Sequence, residues 1–163
     1  MTDKWPSGAD IGLVFERHSA LTDADELSAM NTIKAFVVED SPVVRESLIA
    51  ALEELVPIEV IGVVAGERSA IQWMNAHALE CDIVITDIFL KDGSGLGVLR
   101  AGSQQSMDMV VISNYATPDM RRKCVELGAK QVFDKSSEID ALIAYCSSLA
   151  AEHPRASRQH RWQ

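Results

Sequence analysis

Asp82-Ile83-Val84-Ile85-Thr86-Asp87, with Lys91-Asp92-Gly93-Ser94-Gly95 close behind, decides the fold. Ile83, Val84 and Ile85 are consecutive β-formers between polar ends. A short apolar run bounded by turn signals reads as a strand buried on both faces of a parallel sheet. In open α/β sheets ligands sit outside the carboxyl ends of the strands. Asp87 stands at such an end, where a carboxylate is costly unless it binds a cation or reacts.

The pattern around this strand is regular. Ile33 to Val38 reads as a first strand ending in Glu39-Asp40. Ser41-Pro42 then opens a helix, serine as cap and proline at the first helical position. Val44, Leu48, Ala51, Leu52 and Leu55 form its expected buried face, and Pro57 ends it. Ile58 to Val64 is a second strand, and a helix over roughly residues 67–78 follows, with Ala70, Ile71 and Met74 inward. After Asp82–Asp87, Leu96, Val98 and Leu99 begin a short third helix. Met109–Ser113 is strand four. Thr117-Pro118 starts a helix running to about Leu127, which Gly128 ends. Lys130–Asp134 is strand five. Ser136 or Ser137 is expected to cap a last helix, with Ile139, Leu142, Ile143, Cys146 and Leu149 on one face.

Strands alternating with helices predict an α/β, flavodoxin-like, doubly wound five-stranded parallel sheet of order 2-1-3-4-5, helices on both faces. The switch point then lies between strands one and three, with Glu39-Asp40 beside Asp87. Residues 1–31 are expected to be an N-terminal extension, partly helical from Thr22, with an apolar stretch Ile11–Phe15 able to dock on something. Residues 32–150 form the domain. Residues 151–163 form a basic tail expected to be disordered.

The chain has 163 residues, 47% apolar and 6% aromatic, which suits an aliphatic α/β domain. A net charge of −9 argues against direct nucleic-acid binding. Cys81, Cys124 and Cys146 are odd in number and widely spaced, and read as reduced thiols. No apolar run approaches the ~20 residues of a membrane span. No secretory signal pattern is evident, so a soluble cytoplasmic protein without membrane contact is expected. His18, His77, His153 and His160 fit no metal spacing and are expected to face solvent. Trp73 and Met74 are expected to be packing residues.

Glu39, Asp40 and Asp87 come from the ends of neighbouring strands. Three carboxylates so close repel one another unless a divalent cation is present. Oxygen ligands of this kind favour Mg²⁺. Strand four ends in a hydroxyl, Ser113, and strand five leads into Lys135, a compact positive charge. Cation, lysine and hydroxyl together can stabilise a transferring phosphoryl group, with Asp87 as the in-line nucleophile. Glu39-Asp40 taken alone would read as compensation of a helix dipole; Asp87 and Lys135 turn the reading towards a site. Gly93-Ser94-Gly95 lacks the phosphate-loop pattern, and its glycines are read as letting the chain turn.

From about Ile33 to Ala150 the sequence resembles the receiver domain of bacterial two-component response regulators. The matching pieces are Val37-Val38-Glu39-Asp40-Ser41, Ile85-Thr86-Asp87 with Lys91–Leu96, Val111-Ile112-Ser113 and Phe133-Asp134-Lys135-Ser136. The resemblance implies that Asp87 accepts a phosphoryl group from a histidine kinase or histidine phosphotransfer protein. It implies that Asp40 binds Mg²⁺ directly, that Glu39 assists, and that the backbone carbonyl of Phe89 completes the protein ligands. Ser113 and Lys135 would contact phosphoryl oxygens. The family's usual proline after the lysine is Ser136 here. Its switching aromatic usually lies three residues before the lysine, where Val132 stands here; Phe133 is adjacent but is expected on the other face of the strand. Tyr115 is read as a partial replacement or as a shield. Phe89 and Tyr115 both flank the expected path of a hydrolytic water, which predicts a long-lived aspartyl phosphate.

The expected role is a stand-alone signalling phosphoacceptor, not an enzyme with turnover. Its output would be binding to a downstream protein target or phosphorelay; a homodimer is left open. The fourth helix, fifth strand and fifth helix form the expected docking face, made basic by Arg121, Arg122 and Lys123. The alternative is a non-phosphorylated pseudo-receiver, an interaction module that keeps the acids. An aspartate-nucleophile phosphatase would need an acid two residues after Asp87, where Phe89 stands.

Overall fold

The computed structural model describes residues 32–152 and the short strand at Phe15–Glu16. In chain order the elements are β1 (Phe15–Glu16), β2 (Ile33–Val38), α1 (Pro42–Leu55), β3 (Ile58–Val64), α2 (Glu67–His77), β4 (Ile83–Asp87), α3 (Gly95–Gly102), β5 (Asp108–Ser113), α4 (Pro118–Glu126), β6 (Gln131–Asp134) and α5 (Ile139–Glu152). The sheet order is β1-β3-β2-β4-β5-β6. Counted from Ile33, the five parallel strands have the expected order 2-1-3-4-5. The addition is β1, which pairs antiparallel with the edge strand β3, Phe15 opposite Val63. It gives part of the Ile11–Phe15 stretch a place on the sheet. The expected helix from Thr22 and the basic tail from His153 onward lie outside the described residues.

Side-chain chemistry explains the boundaries. Ser41 Oγ accepts from Val44 N, with Pro42 at the start of α1. Thr117 Oγ1 accepts from Met120 N ahead of Pro118 in α4. Ser94 caps α3 by accepting from Leu96 N. The last helix departs from expectation. Neither Ser136 nor Ser137 caps it; Ser136 is held by Asp134 Oδ1, through its Oγ at 2.5 Å and its N at 2.8 Å. Glu138 takes the cap position, its carbonyl accepting from Leu142 N.

The central strands β2, β4 and β5 are almost wholly buried, as a sheet covered on both faces requires. Alternation along each strand divides the core. Ile33, Ala35, Val37, Ile83, Ile85, Val110 and Ile112 face α1 and α5. Phe36, Val38, Val84, Met109 and Val111 face Trp73, Met74 and Leu99 of α2 and α3. Val132 and Phe133 fall on opposite faces, as period two requires. Two burial expectations are corrected. Leu55, expected on the buried face of α1, is exposed, and Ile49 is buried in its stead. His77 is half-buried: it stacks on Trp73 at 4.2 Å, and its Nδ1 lies 2.9 Å from Trp73 O. Trp73 is a packing residue as expected, its other face on Phe36 at 4.0 Å. The three cysteines are buried thiols outside any disulfide, and burial pushes that of Cys146 up to about 12. Among the described residues no helix is long and apolar enough to cross a membrane.

Candidate functional site

Parallel pairing delivers four segments to one edge of the sheet. Val38 pairs with Thr86, Asp87 with Ile112, and Ser113 with Asp134. The residues at or just beyond those ends are Glu39 and Asp40, Asp87, Ser113 and Lys135. These are the residues the sequence singled out, and the structure brings them together.

Glu39, Asp40 and Asp87 each offer a carboxylate oxygen, all within 4.8 Å of one another. Lys135 Nζ donates to Asp87 Oδ2 at 2.8 Å and lies 2.8 Å from Glu39 Oε1. The second contact is an ion pair without hydrogen-bond alignment, so Oε1 of Glu39 is buried with no aligned donor. Its other oxygen, Oε2, accepts from Ser41 N at 3.0 Å. Burial pushes the Glu39 carboxyl above its ordinary range, against the pull of Lys135 and of the Ser41 amide. Burial works to lower Lys135, but its contacts with Asp87 and Glu39 outweigh that and raise it. The lysine therefore stays charged.

Backbone contacts fix the acids. Asp40 Oδ2 accepts from Lys91 N at 2.8 Å, tying the acid after β2 to the loop after β4. Asp87 Oδ1 accepts from Phe89 N at 3.4 Å. Thr86 Oγ1 donates to Asp87 O at 2.9 Å. Gly95 serves close approach rather than the turn: a Cβ there would lie 1.9 Å from Asp87 O. Gly93, at φ +84°, is the glycine that the turn itself requires. Buried Ser113 accepts from Tyr115 N at 3.0 Å through Oγ, and its carbonyl accepts from Lys135 N at 3.0 Å. The rings of Phe89 and Tyr115 meet edge-to-face, centroids 5.4 Å apart. Each belongs to a residue whose amide donates to a side chain of the site.

The three basic residues expected on the docking face are differently engaged. Arg121 is committed inside the fold: it donates to Ala116 O at 2.9 Å, to Val132 O at 2.7 Å and to Glu138 Oε1 at 2.9 Å. Arg122 pairs with Asp119 in the same helix. Arg122 and Lys123 remain exposed, so only Arg121 of the three basic residues turns its guanidinium back onto the fold. One residue the sequence reading passed over also touches this edge. Glu67 Oε1 accepts from Ser94 N at 2.8 Å. As an acid in the first turn of a helix it reads only as a complement to the dipole, so the sequence carried no signal for that contact.

The class these features define is the doubly wound, flavodoxin-like sheet of order 2-1-3-4-5, here with carboxylates and one lysine at its carboxyl edge. The chain belongs to the response regulator receiver domain family, whose profile matches residues 35–147. A protein-glutamate methylesterase/protein-glutamine glutaminase of Myxococcus xanthus is 29% identical over 147 residues, 83% of this chain and 41% of its own length. The chain spans about half the length, or less, of the curated relatives it matches. A LuxR-family two-component response regulator from Aurantimonas sp. superposes with TM-score 0.67 at 21% identity, over 81% of this chain and 99% of that one. A chain from the structure of the P1 domain of CheA3 in complex with CheY6 from R. sphaeroides superposes with TM-score 0.59 at 18% identity. That match covers 71% of this chain and 97% of the other.

Proposed function

We propose that Asp87 accepts a phosphoryl group from a phosphohistidine of a histidine kinase or histidine phosphotransfer protein. The observation that carries this reading is Lys135 Nζ held 2.8 Å from both Asp87 and Glu39, with Asp40 completing the acidic cluster. Three carboxylates against one ammonium leave an excess of two negative charges, which suits a dication. Burial raises the Glu39 carboxyl, and a bound dication would favour its ionised form. Glu39, Asp40, Asp87 and the carbonyl of Phe89 would hold Mg²⁺. When bound, the ion supplies charge neutralisation at the phosphoryl oxygens.

The chemistry of the chain's own groups follows. A carboxylate oxygen of Asp87 attacks phosphorus. The P–O bond forms as the P–N bond to the partner's imidazole breaks, and the electron pair leaves with the imidazole nitrogen. Lys135 transfers its charge from the carboxylate to a phosphoryl oxygen. The Ser113 hydroxyl, accepting from Tyr115 N, still has its own hydrogen to donate to a second one. That donation would pull on the loop that carries Tyr115 into α4. The output is carried by protein contacts with a downstream target, from the α4–β6–α5 face, in the cytoplasm.

The test is incubation with Mg²⁺ and phosphoramidate, read by intact mass and peptide mapping. One phosphoryl group on Asp87, absent after chelation and in Asp87→Ala, is expected. Absence of modification in the wild type would leave a pseudo-receiver. Donor turnover far beyond one equivalent would point to a phosphatase.

A further inference from the structure

We infer that Glu67 is a positioning residue for this site, acting through the loop between β4 and α3. The inference rests on the phosphoacceptor reading only where it concerns Mg²⁺; the tether itself is a property of the fold. Glu67 begins α2, on the face of the sheet away from α1, and does not touch Asp87. It grips the loop at two points. Its backbone N donates to Asp92 O at 2.9 Å, and its Oε1 accepts from Ser94 N at 2.8 Å. The two contacts straddle Gly93, the residue with positive φ where the loop reverses.

The surroundings are shaped to the carboxylate. A Cβ on Gly97, in the first turn of α3, would lie 2.0 Å from Glu67 Oε2. A Cβ on Gly93 would lie 2.6 Å from Oε1. The space that two side chains would occupy is taken by this one carboxylate, which also meets the amino end of α3, where negative charge is favoured.

What the grip holds is the site. Lys91, the residue before Asp92, donates its N–H to Asp40 Oδ2 at 2.8 Å. On the other side of the clamp, Gly95 N donates to Ile88 O at 2.8 Å, and Phe89 bridges Ser94. Residues 88–91 are thus fixed between Asp87 and the points that Glu67 holds. Release of Ser94 N frees the loop to carry Lys91 N away from Asp40. A carboxylate whose orientation is not fixed binds a cation less well, because the ordering is then completed at the expense of binding.

Two variants and two measurements test this. In metal-free protein, the Lys91 amide of Glu67→Ala is expected to exchange faster than in the wild type, as read by NMR. Its Mg²⁺ affinity, by calorimetry, is expected to fall by roughly three- to tenfold, within what one lost charge-assisted hydrogen bond allows. Glu67→Gln, which keeps an oxygen acceptor, should restore most of both. Gly97→Ala should displace the carboxylate while improving the helix, and weaken Mg²⁺ binding to a similar degree. In a Glu67→Ala background the same Gly97→Ala change should have no further effect, since the clash is gone. Unchanged exchange at Lys91 in both Glu67→Ala and Gly97→Ala overturns the inference, whatever their melting temperatures. A wild type that binds no Mg²⁺ refutes the phosphoacceptor reading, and the exchange measurement still decides the tether.

Discussion

Lys135 Nζ stands 2.8 Å from Glu39 Oε1, and Glu39 is only 1% exposed. The same ammonium stands 2.8 Å from Asp87 Oδ2. One cation from the end of β6 is therefore shared between acids that follow β2 and end β4. The electrostatics of the site turn on this sharing.

Removal of the lysine leaves buried acids without their counter-charge. Lys135→Met is expected to lower stability by about 3 kcal/mol, the scale for breaking one side of a buried pair. It should also abolish phosphoryl transfer to Asp87. The pH dependence has a definite sign. Lys135 is raised above its ordinary 10.5. Its stabilisation is complete below 10.5 and is lost as pH rises through the folded-state value. Urea unfolding from neutral to alkaline pH should show a decline in the wild type that is reduced in Lys135→Met.

Glu39 titrates with the opposite consequence. Its carboxyl is raised above 4.5 by burial. In metal-free protein its ionisation costs stability as pH climbs from 4.5 through the folded-state value, and the full cost persists above that. Glu39→Gln should therefore be more stable than wild type at neutral pH without metal, and the advantage should vanish below pH 4.5. Saturating Mg²⁺ should reverse the order, because only the wild type gains a ligand charge. A Glu39→Gln protein already less stable at neutral pH without metal would contradict this account.

Phe89 and Tyr115 lean edge-to-face beside the pocket. On the phosphoacceptor reading, the two rings in contact would shield a phosphoryl group on Asp87 from hydrolytic water. The double variant Phe89→Asn, Tyr115→Glu should lose its phosphoryl group several-fold faster than wild type. Release of labelled phosphate after removal of donor measures this, and equal or slower loss would reject the shielding role.

Gly95 admits no side chain. A methyl group there would meet Asp87 O at 1.9 Å, a backbone atom with no freedom to turn aside. Gly95→Ala should cost about 2–3 kcal/mol through forced backbone displacement. Because the displaced atom belongs to Asp87, the folded fraction should also accept phosphoryl more slowly. Thermal unfolding and a single-turnover phosphorylation assay separate the two effects.

Much of the arrangement was legible before any coordinates. The β2, β3 and β4 runs are apolar stretches bounded by turn residues, and Ser41-Pro42 and Thr117-Pro118 are cap signals that act within one turn of helix. Such signals are local, so sequence carries them. Strand order followed because right-handed crossovers leave few topologies open. Once the order was set, Glu39, Asp40, Asp87, Ser113 and Lys135 had to share an edge.

The departures involve polar groups that have a choice of partners nearby, some only two to four residues away in the chain. Arg121 reads as a surface charge, yet its guanidinium finds carbonyls at Ala116 and Val132. His77 reads as solvated, yet one turn away it meets the Trp73 ring. Ser136 reads as a cap, but Asp134 two residues before it competes successfully for its side chain. In each case a polar group had more than one partner within reach, and packing chose.

Sequence by itself determined the alternation of strands and helices, the strand order and the identity of the acids and the lysine at the carboxyl edge. Periodicity, capping and crossover handedness act over a few residues or follow from chirality. Only the tertiary structure decided the antiparallel addition of Phe15–Glu16, the grip of Glu67 on Ser94 and the reason for glycine at position 95. Those depend on how closely segments 8, 27 and 48 residues apart in the chain approach one another, a closeness that no local pattern encodes.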